Sequence, residues 1–303
     1  MKQQFLEFRF RAETLKRIDM ANQIIRGYLA QGYRLTLRQL YYQHVARGLI
    51  ENSERSYKQM GELINNGRLS GLIDWSAIED RTRNLRGIYH RDDPAEAIQD
   101  AYRDFRLDKW ENQPNRVEVW VEKDALVGIL SRVCSRNDVN FFACRGYVSQ
   151  SEMYDAARRV ARYIRAGQDV TILHLGDHDP SGIDMSRDIR DRMVMFLEGL
   201  GVYVNRLALN WEQIELYTPP PNPAKTTDSR FNSYAEQFGH ESWELDALEP
   251  AVIDELIEEN ILALRDDSLW DEKREEEETY RQLLQETSER WADVVRYLQQ
   301  DEE

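Results

Sequence analysis

The chain is poor in cysteine, in proline and in long apolar runs. Its two cysteines, Cys134 and Cys144, have neither metal-site spacing nor other thiols beside them. That excludes a disulfide framework and a thiolate zinc cluster, and leaves free buried thiols as the expectation. No stretch approaches the roughly 20 apolar residues that span a bilayer, and the opening MKQQFLEFRF is too broken by polar residues for a signal peptide. A soluble, cytoplasmic protein with no membrane partner is expected. A Walker A loop is absent as well, so ATP-driven work would need a separate subunit. The few prolines are concentrated in TPPPNPAKTTDSR (218–230), a stretch that must be irregular.

What the chain has in abundance is charge, unevenly spread. Its net charge of -15 is unfavourable for binding nucleic acid, whose affinity for proteins rests on cations that neutralise phosphates. The distribution answers much of that objection. Residues 1–91 hold 16 Lys and Arg against 9 Asp and Glu, residues 92–239 hold 18 against 24, and residues 240–303 hold 6 against 22. A basic module joined to an acidic one points to a nucleic-acid contact at the front, although a solvated acidic tail gives the same totals. A length of 303 residues is about twice the usual domain size.

Hydrophobic periodicity predicts a first helix over residues 5–30, closed by Gly32. Thr36 is placed to cap a second helix through LRQLYYQHVARGLI, and a third runs through SYKQMGELINNGRL. Three short basic helices suit a helix-turn-helix or winged-helix module over 1–91. Arg81, Arg83, Arg86 and Arg91 follow as candidate phosphate contacts or ordinary surface. After a linker at 92–115, β-rich runs alternate with helices: VEVWV, NFFAC, VTILHL and VYVNRLAL. That order predicts a mainly parallel sheet, a Rossmann-like α/β domain over 116–239. Residues 240–303 read as an acidic helical extension. In it Tyr280, Leu284, Trp291, Val294 and Leu298 fall near a heptad seam, dimerising or self-packing.

In parallel sheets, ligands bind beyond the carboxyl ends of the strands. Glu122 directly follows the first strand, and Asp177 and Asp179 follow the third. Carboxylate oxygens suit a hard divalent ion such as Mg²⁺, and two aspartates two residues apart on extended backbone point the same way. His174 and His178 flank the pair, but a carboxylate-dominated set disfavours zinc. Glu244 and Asp246 in WELDAL either support the metal ligands from behind or cap a helix, the cap being the preferred reading, and the EEEE run at 275–278 is expected to be a solvated face. Lys225 and Arg230 in the proline-rich loop approach phosphate or lie at the surface.

WVEKDAL (120–126) together with LGDHDPSGID (175–184) resembles the Toprim domain of topoisomerases, primases and related nucleases. The version in the topoisomerase VI A subunit and the meiotic double-strand-break transesterases is the most similar, over roughly residues 30–210. Glu122 matches the Toprim glutamate, Asp177 and Asp179 the DxD aspartates, and Lys123 and Gly146 also sit where that branch has them. The same family carries a CAP-like winged-helix domain before the Toprim, with a nucleophilic tyrosine closing an Arg-x-x-Tyr-Tyr motif. Here Arg38-Gln39-Leu40-Tyr41-Tyr42 matches it, which makes Tyr42 the candidate nucleophile. Arg38 lies one helical turn before Tyr42, where it would steady a phenolate that is scarce at neutral pH.

The resemblance implies a Mg²⁺- or Mn²⁺-dependent DNA-cleaving transesterase with Tyr42, Arg38 and Glu122 catalytic and Glu122, Asp177 and Asp179 holding the metal. It implies contacts to double-stranded DNA, to which Arg81, Arg83 and Lys123 would contribute. It also implies a homodimer in which one protomer's tyrosine meets the other's metal, an ATPase B-type partner subunit, and a nucleoid-associated place in a bacterium, archaeon or virus. The compact form is similar to the stand-alone Mini-A group. FGHESWELDALEP (238–250) and the acidic helices have no counterpart in topoisomerase VI. A Toprim nuclease that hydrolyses with water, and a non-catalytic DNA-binding protein, are the alternatives.

Overall fold

The computed structural model describes residues 2–79 and 90–300; Arg81, Arg83 and Arg86 lie outside the described residues. The chain divides into two compact units, one drawn from Met1–Arg83 and Val117–Ala263, the other from Asn84–Arg116 and Leu264–Glu303.

The first unit opens with three helices, α1 (Ala12–Ala30), α2 (Leu37–Ala46) and α3 (Glu54–Leu69). Thr36 caps α2 through a full capping box with Gln39, as its sequence predicts. The first helix starts at Ala12 rather than at residue 5. The preceding backbone is committed elsewhere: Phe5 and Leu6 both donate to the Leu69 carbonyl, at 2.8 and 3.0 Å, and Phe5 packs edge-on to Trp75. Ile18, Ile25, Leu40, Tyr42, Met60 and Ile64 meet in the core of this helical part. Among the described residues no two-stranded wing accompanies the helices; the pairings here are single bridges, Gln4 with Ser70 and Leu35 with Ile78.

In the stretch expected as a linker, a helix α4 (Pro94–Asp104) belongs to the second unit. The four expected strands are present: β1 (Asn115–Val121), β2 (Asn140–Ala143), β3 (Asp169–Leu175) and β4 (Tyr203–Ala208). They form one parallel sheet in the order β2-β1-β3-β4, which makes this unit α/β. The crossovers are α5 (Val127–Arg136), α6 (Gln150–Arg165) and α7 (Pro180–Leu197). Trp120, Ile172 and Val204 from the sheet pack with Met153 and Val160 of α6 and Ile189 and Met193 of α7. Each such side chain contributes about 1.5–3 kcal/mol when fully buried. Val117, Val119 and Val121 alternate to the opposite face of β1.

Beyond the sheet come α8 (Trp211–Tyr217), a two-residue strand β5 (Asn222–Pro223), α9 (Phe231–Phe238), its antiparallel partner β6 (Glu241–Ser242), and α10 (Pro250–Leu262). The proline-rich stretch is irregular apart from β5. Cys134 and Cys144 are free and buried.

In the second unit, α4 packs on the long helix α11 (Asp267–Glu289), and α12 (Trp291–Gln300) follows. The heptad seam does not run along one continuous helix, because α11 ends at Glu289. Its first member, Tyr280, packs against Phe105 within the chain. The EEEE run is not uniformly solvated: Glu277 is buried and accepts from Lys109 Nζ at 2.6 Å and the Leu107 N–H at 2.8 Å. No helix among the described residues is long and apolar enough to cross a membrane.

Candidate metal centre and tyrosine cleft

The site is built where β1 and β3 end. The Glu122 N–H donates to the Leu175 carbonyl at 2.8 Å, which sets the two strand ends side by side. Glu122 Oε2 then accepts the Asp177 N–H at 2.9 Å. Two glycines make this close approach feasible. A Cβ on Gly176 would lie 3.1 Å from Glu122 Oε2, and one on Gly182 would lie 2.3 Å from the Asp177 carbonyl oxygen. Half-buried Arg206 pins the loop between them, donating to the carbonyls of Gly176 at 3.1 Å, Asp177 at 2.6 Å and Gly182 at 2.8 Å.

A second segment is brought in by backbone pairing. His178 and Trp243 exchange N–H···O=C bonds at 2.8 and 3.0 Å, an isolated antiparallel bridge that extends the β5–β6 hairpin. The His178 ring lies in an aromatic cage of Trp211, Tyr234, Phe238 and Trp243. Burial pushes it down to about 4 and so keeps it neutral. Directly after the bridge the chain enters a 3₁₀ turn, Leu245–Ala247, whose first N–H donates to Asp177 Oδ1 at 2.8 Å.

Three carboxylates thereby converge. Asp177, Glu244 and Asp246 offer oxygens within 4.8 Å of one another, a group that can hold a metal ion. Like charges this close need a counter-charge, and Lys123 supplies one. Its Nζ lies 2.7 Å from Asp177 Oδ2 and 3.4 Å from Asp246 Oδ1, and it pairs with Glu244. Arg38 supplies another, at 2.7 Å from Glu244 and 3.0 Å from Asp246 Oδ2. The Asp246 side chain is fully buried, yet its Oδ2 has no well-aligned hydrogen bond. Burial, then Asp177 beside it, pushes Glu122 up to about 7. Burial also raises Asp177, against the pull of Lys123.

Arg38 is the link to the tyrosine. Its guanidinium carbon lies 5.8 Å from the centre of the Tyr42 ring while its nitrogens hold the two acids. Burial opposes the Arg38 charge, but Asp246, Tyr42 and Asp177 outweigh it and raise its pKa. Tyr42 is itself buried, and it lines a cleft of about 350 Å³ with Tyr41, Tyr57, Asn52 and Asn222. Burial and then Asp246 raise its phenol above the ordinary value, and Arg38 only partly offsets them. The guanidinium that the sequence suggests as an activator is therefore largely engaged by carboxylates.

Of the residues singled out from sequence, Glu122, Lys123, Asp177, Arg38 and Tyr42 come together around this cluster. Asp179 is differently employed: its Oδ1 accepts the Gly182 N–H at 2.6 Å and Ser181 Oγ at 2.9 Å, capping α7. The preferred reading of Glu244 and Asp246 as a helix cap is corrected: Glu244 stands at the N-cap position of the 3₁₀ turn but makes no side-chain capping bond, and both acids face Lys123 and Arg38. Their signal was the two-residue spacing in Glu244-Leu245-Asp246, the same spacing that drew attention to Asp177 and Asp179. Arg206 carried no sequence signal beyond being a cation inside a strand. Arg230 pairs with Asp184 at 2.9 Å, and Lys225 is exposed. No protein-family model matches the chain, and no curated protein matches it.

Proposed function

We propose that the chain is a divalent-metal-dependent DNA-cleaving transesterase of the type IIB topoisomerase A-subunit kind, with Tyr42 as nucleophile. The observation that carries this is Arg38, which contacts the Tyr42 ring and pairs with Glu244 and Asp246 of the acidic cluster. A candidate nucleophile and a candidate metal centre thus share one side chain.

Asp177, Glu244 and Asp246 are the residues that would hold Mg²⁺ or Mn²⁺, with Glu122 alongside. Their hard oxygen donors fit such an ion, and an ammonium already sits among them in its place. When bound, the ion supplies Lewis-acid polarisation of phosphate oxygens and charge neutralisation. Tyr42 Oη would attack phosphorus while the bond to the leaving deoxyribose oxygen breaks, giving a phosphotyrosyl link. The phenolic proton leaves to solvent and Glu122 returns one to the leaving oxygen. Arg38 steadies the phenolate and the charge that grows on the phosphate. Lys123, released from the carboxylates, becomes a phosphate ligand.

The substrate proposed is double-stranded DNA, read by the N-terminal helices acting as a winged-helix-like module. The resemblance pairs a tyrosine with a partner's metal, but here Arg38 joins Tyr42 to acids of its own chain, so the site is proposed to be complete in cis. A homodimer would set two such sites for a double-strand break, and ATP-driven strand passage would need a separate ATPase subunit.

One observation favours a hydrolytic nuclease instead: the Tyr42 phenol is buried, and Asp246 opposes its ionisation. Water in place of Tyr42 would leave no covalent link. Denaturing the protein in the presence of plasmid DNA and Mg²⁺, then recovering protein-bound DNA, separates the two chemistries.

A further inference from the structure

A second cavity of the first unit lies away from the acidic cluster. It is a cleft of about 540 Å³ between α6 and the end of α7, and four arginines of α6 line it. Arg159 has a structural role, held by Glu118 at 2.7 and 3.0 Å. Arg158, Arg162 and Arg165 are different. All three are exposed, and among the described residues none has an ion-pair partner; Arg158 only lies over the Tyr154 ring, at 6.0 Å. Two arginines of the neighbouring helix do find carboxylates. On α7, Arg187 pairs with Asp184 and Asp191, and Arg192 pairs with Asp188. Carboxylates are within reach of the α6 arginines as well, since Asp155 and Glu198 line the same cleft, yet no pair forms.

Spacing gives the ligand's form. Positions 158, 162 and 165 fall at i, i+4 and i+7, so the three guanidiniums share one helix face. They span roughly 10 Å at about 1.5 Å per residue, a distance over which a strand rising about 3.4 Å per step presents several phosphates. A single phosphate would satisfy one fork, whereas a row of phosphates can engage all three. Tyr154 and Phe196, edge to face at 5.6 Å, form an aromatic wall of the same cleft.

We infer that this cleft is a binding site for the phosphodiester backbone of a nucleic-acid strand, with Arg158, Arg162 and Arg165 as its phosphate ligands. It needs none of the catalytic chemistry proposed above. Each guanidinium displaces counterions, so its contribution is read from the salt dependence of binding.

The test is binding of a fluorescent DNA duplex to the full chain, without divalent metal, over a range of potassium chloride. The protein with Arg158→Gln, Arg162→Gln and Arg165→Gln together should lose about tenfold or more in affinity. Its slope of log K against log salt should become less negative by roughly two to three. Lysine at the three positions should keep most of the slope. Removing the same charge elsewhere, with Arg103→Gln, Arg274→Gln and Arg290→Gln, should change little. Because the assay contains no divalent metal, its result stands apart from any failure of the cleavage chemistry. Wild type that does not bind the duplex, a triple glutamine variant with wild-type affinity and slope, or equal displacement by the same concentration of inorganic phosphate would each overturn the inference.

Discussion

Lys123 Nζ lies 2.7 Å from Asp177 Oδ2, in the space where Glu244 and Asp246 also converge, so an ammonium serves as internal counter-ion to a three-carboxylate cluster. A group of this kind is stable only while its charges are matched. Lys123→Met should therefore destabilise the metal-free protein by roughly 3–5 kcal/mol, the range for breaking a buried pair. Manganese should restore most of the loss, whereas Lys123→Met with Asp246→Asn should respond to no metal. Thermal unfolding with and without Mn²⁺ reads both. A Lys123→Met protein that melts like wild type and ignores the metal would remove the counter-ion role.

The loop geometry makes a sharper prediction about two glycines. Gly182→Ala places a methyl 2.3 Å from the Asp177 carbonyl oxygen, a backbone atom that cannot swing aside. A loss of about 2 kcal/mol or more is expected, with weakened metal binding because Asp177 moves. Gly27, inside α1, has nothing within 4 Å of its would-be Cβ. Gly27→Ala should be neutral, or stabilising by about 0.4–1 kcal/mol. Urea unfolding of both variants compares them directly, and similar midpoints would contradict the close approach.

Buried His174, with Nδ1 2.8 Å from Ser186 Oγ, gives a pH prediction whose sign follows from its neutral state. Burial pushes it down to about 3, against about 6.5 in an unfolded chain. Between those values the unfolded chain takes up a proton that the folded chain refuses. This one group therefore lowers stability by about 1.4 kcal/mol per pH unit as pH falls from 6.5, and contributes no slope above it. Urea titrations of wild type and His174→Gln at pH 7, 5.5 and 4.5 should show their difference changing with pH. A constant difference would mean that His174 is protonated in the fold.

Much of the fold was legible because hydrophobic period and caps are local signals. Thr36 and the four strand runs each carry their instruction within a few residues. The start of α1 was not, because Phe5 and Leu6 are drawn to the Leu69 carbonyl, a partner far along the chain. The candidate site divides in the same way. Glu122 and Asp177 announce themselves at strand ends, where parallel sheets place ligands. Glu244 and Asp246 do not, because what carries them to Asp177 is the His178–Trp243 bridge, a pairing between distant segments that no periodicity records. Asp179 is a different case. Its spacing from Asp177 is that of a ligand pair, yet the same residue type is a good N-cap, and capping α7 is what engages it.

Complementation tests whether the two halves of the site belong to one chain. Co-expressed Tyr42→Phe and Asp177→Asn chains should not regain DNA cleavage, since Arg38 joins Tyr42 to the acids of its own chain. Recovery to a substantial fraction of wild type would place the tyrosine against a partner's acids instead.

The most direct measurement is recovery of protein-linked DNA from supercoiled plasmid with Mg²⁺ or Mn²⁺, for wild type, Tyr42→Phe and Asp177→Asn side by side. Phenylalanine keeps the shape of the buried ring, so Tyr42→Phe should stay folded. Wild type should give a covalent complex, and both variants should give neither complex nor nicked plasmid. A Tyr42→Phe protein that still nicks DNA, while Asp177→Asn does not, would contradict attack by Tyr42 and leave a nuclease that uses water.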